Sequence, residues 1–135
     1  MAKQFTLGKD ERLKSRKAIE QLFKEGKTFV MGPFKIYYQL SDSPDPARRS
    51  RYPVQAGTGV SVKHFKKAVD RNRVKRVIRE AWRLQKEILK PGLQEKKMKL
   101  DVFIIYNHKE LPVYKNVFPV VGEAIEKLNS LISKK

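Results

Sequence analysis

Residues 68–89 leave the chain little freedom. Val74, Val77, Ile78, Ala81, Trp82, Ile88 and Leu89 recur there at helical spacing and form one broad apolar face. At about 100° per residue, Asn72, Arg76, Arg79 and Arg83 fall in one narrow sector opposite Val74, Val77, Ile78 and Ala81. Such a segment has to be a helix that docks on a core by one side and leaves a cationic side uncovered. Residues 63–90 hold eleven basic residues (Lys63, Lys66, Lys67, Arg71, Arg73, Lys75, Arg76, Arg79, Arg83, Lys86, Lys90) and three acids (Asp70, Glu80, Glu87). An ordinary solvated face mixes signs so that neighbours one turn apart can pair. This one is nearly all positive and rich in arginine, whose planar fork suits bidentate contact with phosphate. Asn72 either caps the helix start or offers a group that donates and accepts toward a base edge or a 2′-hydroxyl.

The rest of the pattern supplies what this helix can dock on. Ser15 reads as an N-cap and Gly26 as the residue past a C-terminus, enclosing a short amphipathic helix with Ala18, Ile19, Leu22 and Phe23. Residues 28–40 read as one strand in which Phe34, Ile36, Tyr38 and Leu40 alternate with Lys35, Tyr37 and Gln39. Residues 41–51, with two prolines and the basic tip Arg48, Arg49 and Arg51, read as an exposed hairpin connection leading to a return strand over 53–62. That basic tip is either a further RNA contact or solubilising charge. In the return strand Gln55, Gly57, Gly59 and Ser61 share a face on which missing side chains would admit a ligand or another backbone. Pro91-Gly92 is expected to end the long helix, a Lys-rich connection to follow, and 100–106 to form a buried strand interrupted by Asp101. A turn over 107–112 and a C-terminal helix close the chain, with Pro119 expected in that helix's first turn. The order α-β-β-α-β-α predicts an α/β (α+β) sandwich, a small mixed sheet with packed helices, in a single domain over 1–135 whose residues 1–12 form a partly ordered basic arm.

Composition narrows the function. Lys and Arg number 31 against 14 Asp and Glu, a net charge of +17, so a polyanion is the expected partner, with nucleic acid ahead of a membrane surface. With 40% hydrophobic residues the chain can build a core. It has no cysteine, which excludes disulfides, thiolate zinc sites and a cysteine nucleophile. No run of about 18 apolar residues occurs, and a cytoplasmic location is expected. His64 and His108 are the only histidines, and no HExxH, Gly-rich phosphate loop or serine triad accompanies them. Asp70 adjoins the basic cluster and Asp101 stands alone in an apolar strand, so no protein metal site and no catalytic residue is expected.

The run AVDRNRVKRVIREAWR at 68–83 resembles the signature of the protein subunit of bacterial ribonuclease P, A-V-x-R-N-R-x-K-R-x-x-R-E. All nine fixed positions are present: Ala68, Val69, Arg71, Asn72, Arg73, Lys75, Arg76, Arg79 and Glu80. Arg12-Leu13-Lys14 through Phe23 and Gly26 is similar to the family's first helix, and Phe34 with Ile36-Tyr37 to its following strand. The resemblance implies a fold shared with a small-subunit ribosomal protein domain, with a left-handed crossover between parallel strands where the general rule gives a right-handed one.

It also implies a function: the family's ribonucleoprotein removes the 5′ leader from precursor tRNA, and Mg²⁺-dependent hydrolysis belongs to the RNA subunit. By carry-over, Arg71, Asn72, Arg73, Lys75, Arg76 and Arg79, extended here to Arg83, would dock on the catalytic RNA. Ile19, Phe23, Lys35, Tyr37 and Lys63 would line a cleft for the single-stranded leader. The chain departs from the family at Ile19, which offers no π-face at an aromatic position. It departs again in Ser61-Val62-Lys63-His64-Phe65-Lys66, where Val62 replaces a hydroxyl and Lys66 a glycine. No membrane and no small-molecule substrate is expected. The alternative is a structural ribosomal RNA-binding protein of related fold. A helix-turn-helix DNA reader lacks the required helix before the basic one, and a membrane-surface role lacks a free apolar face.

Overall fold

The computed structural model describes residues 12, 13, 15–42 and 53–134. Its elements are α1 (Arg16–Glu25), β1 (Lys27–Met31), β2 (Phe34–Asp42), β3 (Val54–Val60), α2 (Ala68–Gln85), a 3₁₀ turn (Lys86–Leu89), α3 (Lys90–Lys96), β4 (Met98–Tyr106) and α4 (Tyr114–Ser133). They form an α/β arrangement around one mixed four-stranded sheet of order β1-β2-β4-β3. Among the described residues no helix is long and apolar enough to cross a membrane. Most of the arm over 1–12, and Arg48, Arg49 and Arg51, lie outside the described residues.

Several boundaries differ from the sequence expectation. The stretch 28–40 is two strands, because Gly32 at φ +58° turns the chain with Pro33 and brings Met31 opposite Phe34. The segment 53–62 does not return along β2: β4 lies between them, antiparallel to β2 and parallel to β3. A strand reading Val-Phe-Ile-Ile belongs in the sheet interior, and that demand outweighs the local hairpin signal. Regular α2 stops at Gln85, and Pro91 opens α3 from its first turn, where no proline N–H is needed. The Lys-rich stretch is therefore largely helix, ended by Lys97 at φ 54°.

Pro119 lies past the first turn of α4, so the carbonyl of Lys115 has no N–H to receive from it. Beside it, Gln85 Nε2 donates to the carbonyls of Phe118 (2.9 Å) and Ala81 (3.1 Å), tying α4 to α2. Gly26 follows α1 as expected, yet at φ −72°. Its need is space, since a Cβ there would meet the Leu22 Cδ1 at 2.7 Å.

One face of the sheet carries Phe34, Ile36, Val54, Ala56, Leu100, Val102, Ile104 and Tyr106 into the core. Val74, Ile78, Ala81 and Trp82 of α2 and Val117, Val121, Ala124, Ile125, Leu128 and Ile132 of α4 cover it. α1 packs on the opposite, outer face, where Phe23 touches Tyr37 and Phe103. Ser15 caps α1 as predicted, its hydroxyl accepting from the Ala18 N–H. Just before it, the Leu13 N–H donates to the Ala56 carbonyl (2.9 Å), which tacks the chain to the free edge of β3 and buries Leu13.

The space above Gly57 and Gly59 is filled from within. A Cβ on either would come within 2.7 Å of the Phe103 ring, and one on Gly57 would also lie 3.3 Å from the Leu13 carbonyl. Substituting Gly59→Ala should therefore overpack the sheet and lower unfolding free energy by about 1–3 kcal/mol. Adding Phe103→Leu should remove most of that loss in a double-mutant cycle followed by denaturant unfolding. Strictly additive effects would show that the ring does not rest on the glycines.

Candidate RNA interface

The exposed side of α2 carries Val69, Asn72, Arg73 and Arg76 in the open, followed by half-buried Lys75, Arg79 and Arg83. Helix α2 starts at Ala68 with Lys67 as its N-cap residue, so Asn72 lies inside the helix and does not cap it. Its amide is thus available to a partner. Val69, 76% exposed on this same stripe, adds an apolar side chain that the charge pattern does not reveal.

The two ends of the stripe differ in what holds their arginines. A single Arg71 terminal nitrogen donates to the carbonyls of Phe65 (2.9 Å) and Lys66 (2.8 Å), so this side chain turns back to clamp the loop before the helix. At the other end Arg83 pairs with Glu80, and that hydrogen bond raises the guanidinium pKa further above its ordinary value. Beside them, partial burial and the Glu80 charge push the Tyr114 phenol upward. Lys86, counted with the basic residues in the sequence, is fully buried, its Nζ 3.1 Å from Glu87.

The loop over 61–67 joins this helix to the sheet. Its turn is held by the His64 and Phe65 N–H groups donating to the Ser61 carbonyl (3.2 and 3.1 Å). Phe65 anchors it, buried and stacked on Tyr106 at 6.2 Å. Tyr106 in turn donates its hydroxyl to the Glu110 carbonyl (2.7 Å), and burial raises its pKa. Lys63 is left exposed in this loop, between the end of β3 and the start of the basic helix. His108 accepts the Glu110 N–H at Nδ1 (3.2 Å), a turn contact.

On the outer face, Lys35, Tyr37 and Gln39 of β2 stand beside Ile105, Phe103 and Asp101 of β4, which stand beside Gly59, Gly57 and Gln55 of β3. Phe23 of α1 rests over the middle row, 4.7 Å from the Tyr37 ring and 5.1 Å from the Phe103 ring. It is nonetheless 42% exposed and belongs to no core cluster. Lys35 Nζ lies 5.2 Å from the Tyr37 centroid. Half-buried Ile19 lies on α1 one turn before Phe23. Thus Phe23, Tyr37 and Lys35 come together as expected, while Phe103 was missed because strand 100–106 read as buried throughout. Its signal was the pair of glycines in β3, which leave room for a large neighbour. Asp101 is buried, with Oδ2 3.6 Å from Lys99 Nζ. Among the described residues no three His, Asp or Glu side chains gather to hold a metal.

The chain as a whole is similar to known proteins of one family. The model of the family described as Ribonuclease P matches residues 7–128. A ribonuclease P protein component from Porphyromonas gingivalis is 39% identical over 113 residues, covering 84% of this chain and 79% of the relative. Another, from Chlorobium phaeobacteroides, is 33% identical over 117 residues, covering 81% and 78%. The fold matches the solved structure of the Staphylococcus aureus RNase P protein with a TM-score of 0.61 at 20% identity, over 87% of this chain and 94% of that one. From the family model and the relatives together, the chain belongs to the family of ribonuclease P protein components.

Proposed function

We propose that this chain binds the RNA subunit of ribonuclease P through the exposed side of α2 and holds the single-stranded 5′ leader of precursor tRNA on the outer face of the sheet. The observation that carries the reading is the Phe23–Tyr37 pair with Lys35: two aromatic rings in contact and a cation beside them on the sheet face turned away from the main core, with Phe23 and Lys35 exposed. Single-stranded RNA is bound by this combination, since every base has a π-face and every linkage a negative charge. Lys63, exposed in the loop between β3 and α2, adds a cation on the way from the sheet to the helix.

The division of labour follows from charge and geometry. Arg73, Arg76, Arg79 and Lys75 neutralise phosphates and Asn72 contacts a base edge or a 2′-hydroxyl, while Arg71 and Arg83 act from positions fixed by the loop and by Glu80. Holding the leader on one surface and the RNA subunit on the other converts cleavage into a pre-oriented event, and this is the chain's contribution to rate. Mg²⁺ is assigned to the RNA subunit, and no chemical step is routed through a metal on this chain.

Two measurements test the assignment. Arg76→Ala and Arg79→Ala should each weaken assembly with a bacterial ribonuclease P RNA and reduce the slope of log K against log salt by about one. An unchanged slope would remove them from the docking surface. Tyr37→Ala should weaken binding of a leader-bearing precursor by about 1–3 kcal/mol and leave mature tRNA binding unaltered. Equal losses on both substrates would take the leader off this face.

A further inference from the structure

Arg71 belongs to the signature by sequence and to the loop by structure. Its side chain is half-buried, and one terminal nitrogen donates to the carbonyls of Phe65 (2.9 Å) and Lys66 (2.8 Å). Those carbonyls lie in a segment that is neither helix nor strand, where backbone groups rely on side chains or water. A guanidinium suits this task, being charged at every working pH and able to send two N–H groups from one nitrogen. Arg73 and Arg76 stand exposed on the same helix. For Arg71 to meet a phosphate with its bonded nitrogen, it would have to give up two charge-assisted bonds and release the loop.

What the clamp fixes is a pair of lysines. Lys66 and Lys67 are both exposed, Lys66 supplying one of the clamped carbonyls and Lys67 standing as the N-cap residue of α2. Phe65, buried and stacked on Tyr106, anchors the residue before them, so the backbone that carries the pair is held from two sides. Neither lysine is a fixed position of the signature, and Lys66 is one of the places where the chain departs from the family. Neither serves the helix. The N-cap position favours Ser, Thr, Asn or Asp, and Lys67 makes no side-chain capping bond. A cation there also opposes the helix dipole, whose positive end lies at the N-terminus. Lysines set against the dipole, in a loop held by a third cation, call for an anion that neutralises them.

We propose that Arg71 is a positioning residue, and that it presents Lys66 and Lys67 to the phosphodiester backbone of the RNA subunit as contacts beyond the family signature. The inference rests on the docking reading of α2 and changes it in one respect: a signature arginine acts through the loop, and two lysines outside the signature take the phosphates.

The test follows assembly of the full chain with a bacterial ribonuclease P RNA as a function of salt, for Arg71→Met, for Lys66→Ala with Lys67→Ala, and for all three together. The lysine pair should lower the slope of log K against log salt by about two, one for each phosphate contact. Arg71→Met should lower it by as much although it removes a single charge, and the triple variant should lower it no further. Arg73→Met, made as a control for charge loss nearby, should add to the lysine pair. A fall of about one for Arg71→Met that adds to the lysines would make Arg71 a phosphate ligand and overturn the proposal, as would a lysine pair without effect. A loss of K at every salt concentration with the slope unchanged would reduce Arg71 to a purely structural role and overturn it too. Should Arg71→Met unfold in the assay, Arg71→Gln, neutral but still a donor, takes its place. With Arg71→Gln, K and slope both kept would show that Arg71 supplies the clamp and not its charge, whereas a slope lowered by about one, with the lysine effects intact, would overturn the proposal. If Arg76→Ala and Arg79→Ala also leave the slope unchanged, the docking reading itself fails; where they lower it, a failure belongs to Arg71 and the loop alone.

Discussion

The insertion of β4 between β2 and β3 is the arrangement on which the molecule depends. β4 pairs along its whole length with β2 and from Leu100 to Tyr106 with β3, closing a sheet whose other strands come from the first half of the chain. Its alternation serves two surfaces at once. Leu100, Val102, Ile104 and Tyr106 form the middle of the core, and Asp101, Phe103 and Ile105 form the middle of the outer face. A slip of one residue in its register would exchange these sets, placing a carboxylate and an aromatic wedge in the core and emptying the cleft. Core stability thus fixes the position of the outer-face groups.

The two surfaces are joined by one rigid passage. β3 ends in a loop stapled from below by Phe65 on Tyr106 and from the side by Arg71 on two carbonyls. The loop passes from the sheet edge directly into α2, so Lys63 and the arginines of the helix keep a fixed relation. On the proposed reading, such a passage would let a small domain hold two segments of RNA in mutual register without a hinge.

Much of this was legible in the sequence, and the rest was hidden for identifiable reasons. Helical period gave α1, α2 and α4, and Ser15 gave the start of α1 because capping is a local interaction. The alternation in 34–40 placed Tyr37 and Lys35 together correctly. What failed were relations between distant segments. Gly32-Pro33 was passed over because apolar and β-branched residues run on through it, and the partner of β3 could not be read because alternation assigns faces and not neighbours. Gly57 and Gly59 were recognised as vacant, but their occupant lies on β4, far along the chain. Arg71 and Arg76 share a signature and a residue type, and only the loop's carbonyls set their roles apart.

That last distinction has an electrostatic side. Arg71 is held by neutral carbonyls, which fix the guanidinium without cancelling its charge. Arg83 is held by a carboxylate, and Glu87 likewise stands 3.1 and 3.3 Å from Lys86 and Lys90. Toward its end the basic helix therefore carries its own counter-ions. Toward its start Asp70 is the one acid in sequence among Arg71, Arg73, Lys75 and Arg76, with Lys63, Lys66 and Lys67 of the loop just before. Positive potential is concentrated where the helix leaves the sheet. On the proposed reading, a polyanion would be drawn along this helix toward its start, since field strength follows uncompensated charge and not the count of basic residues.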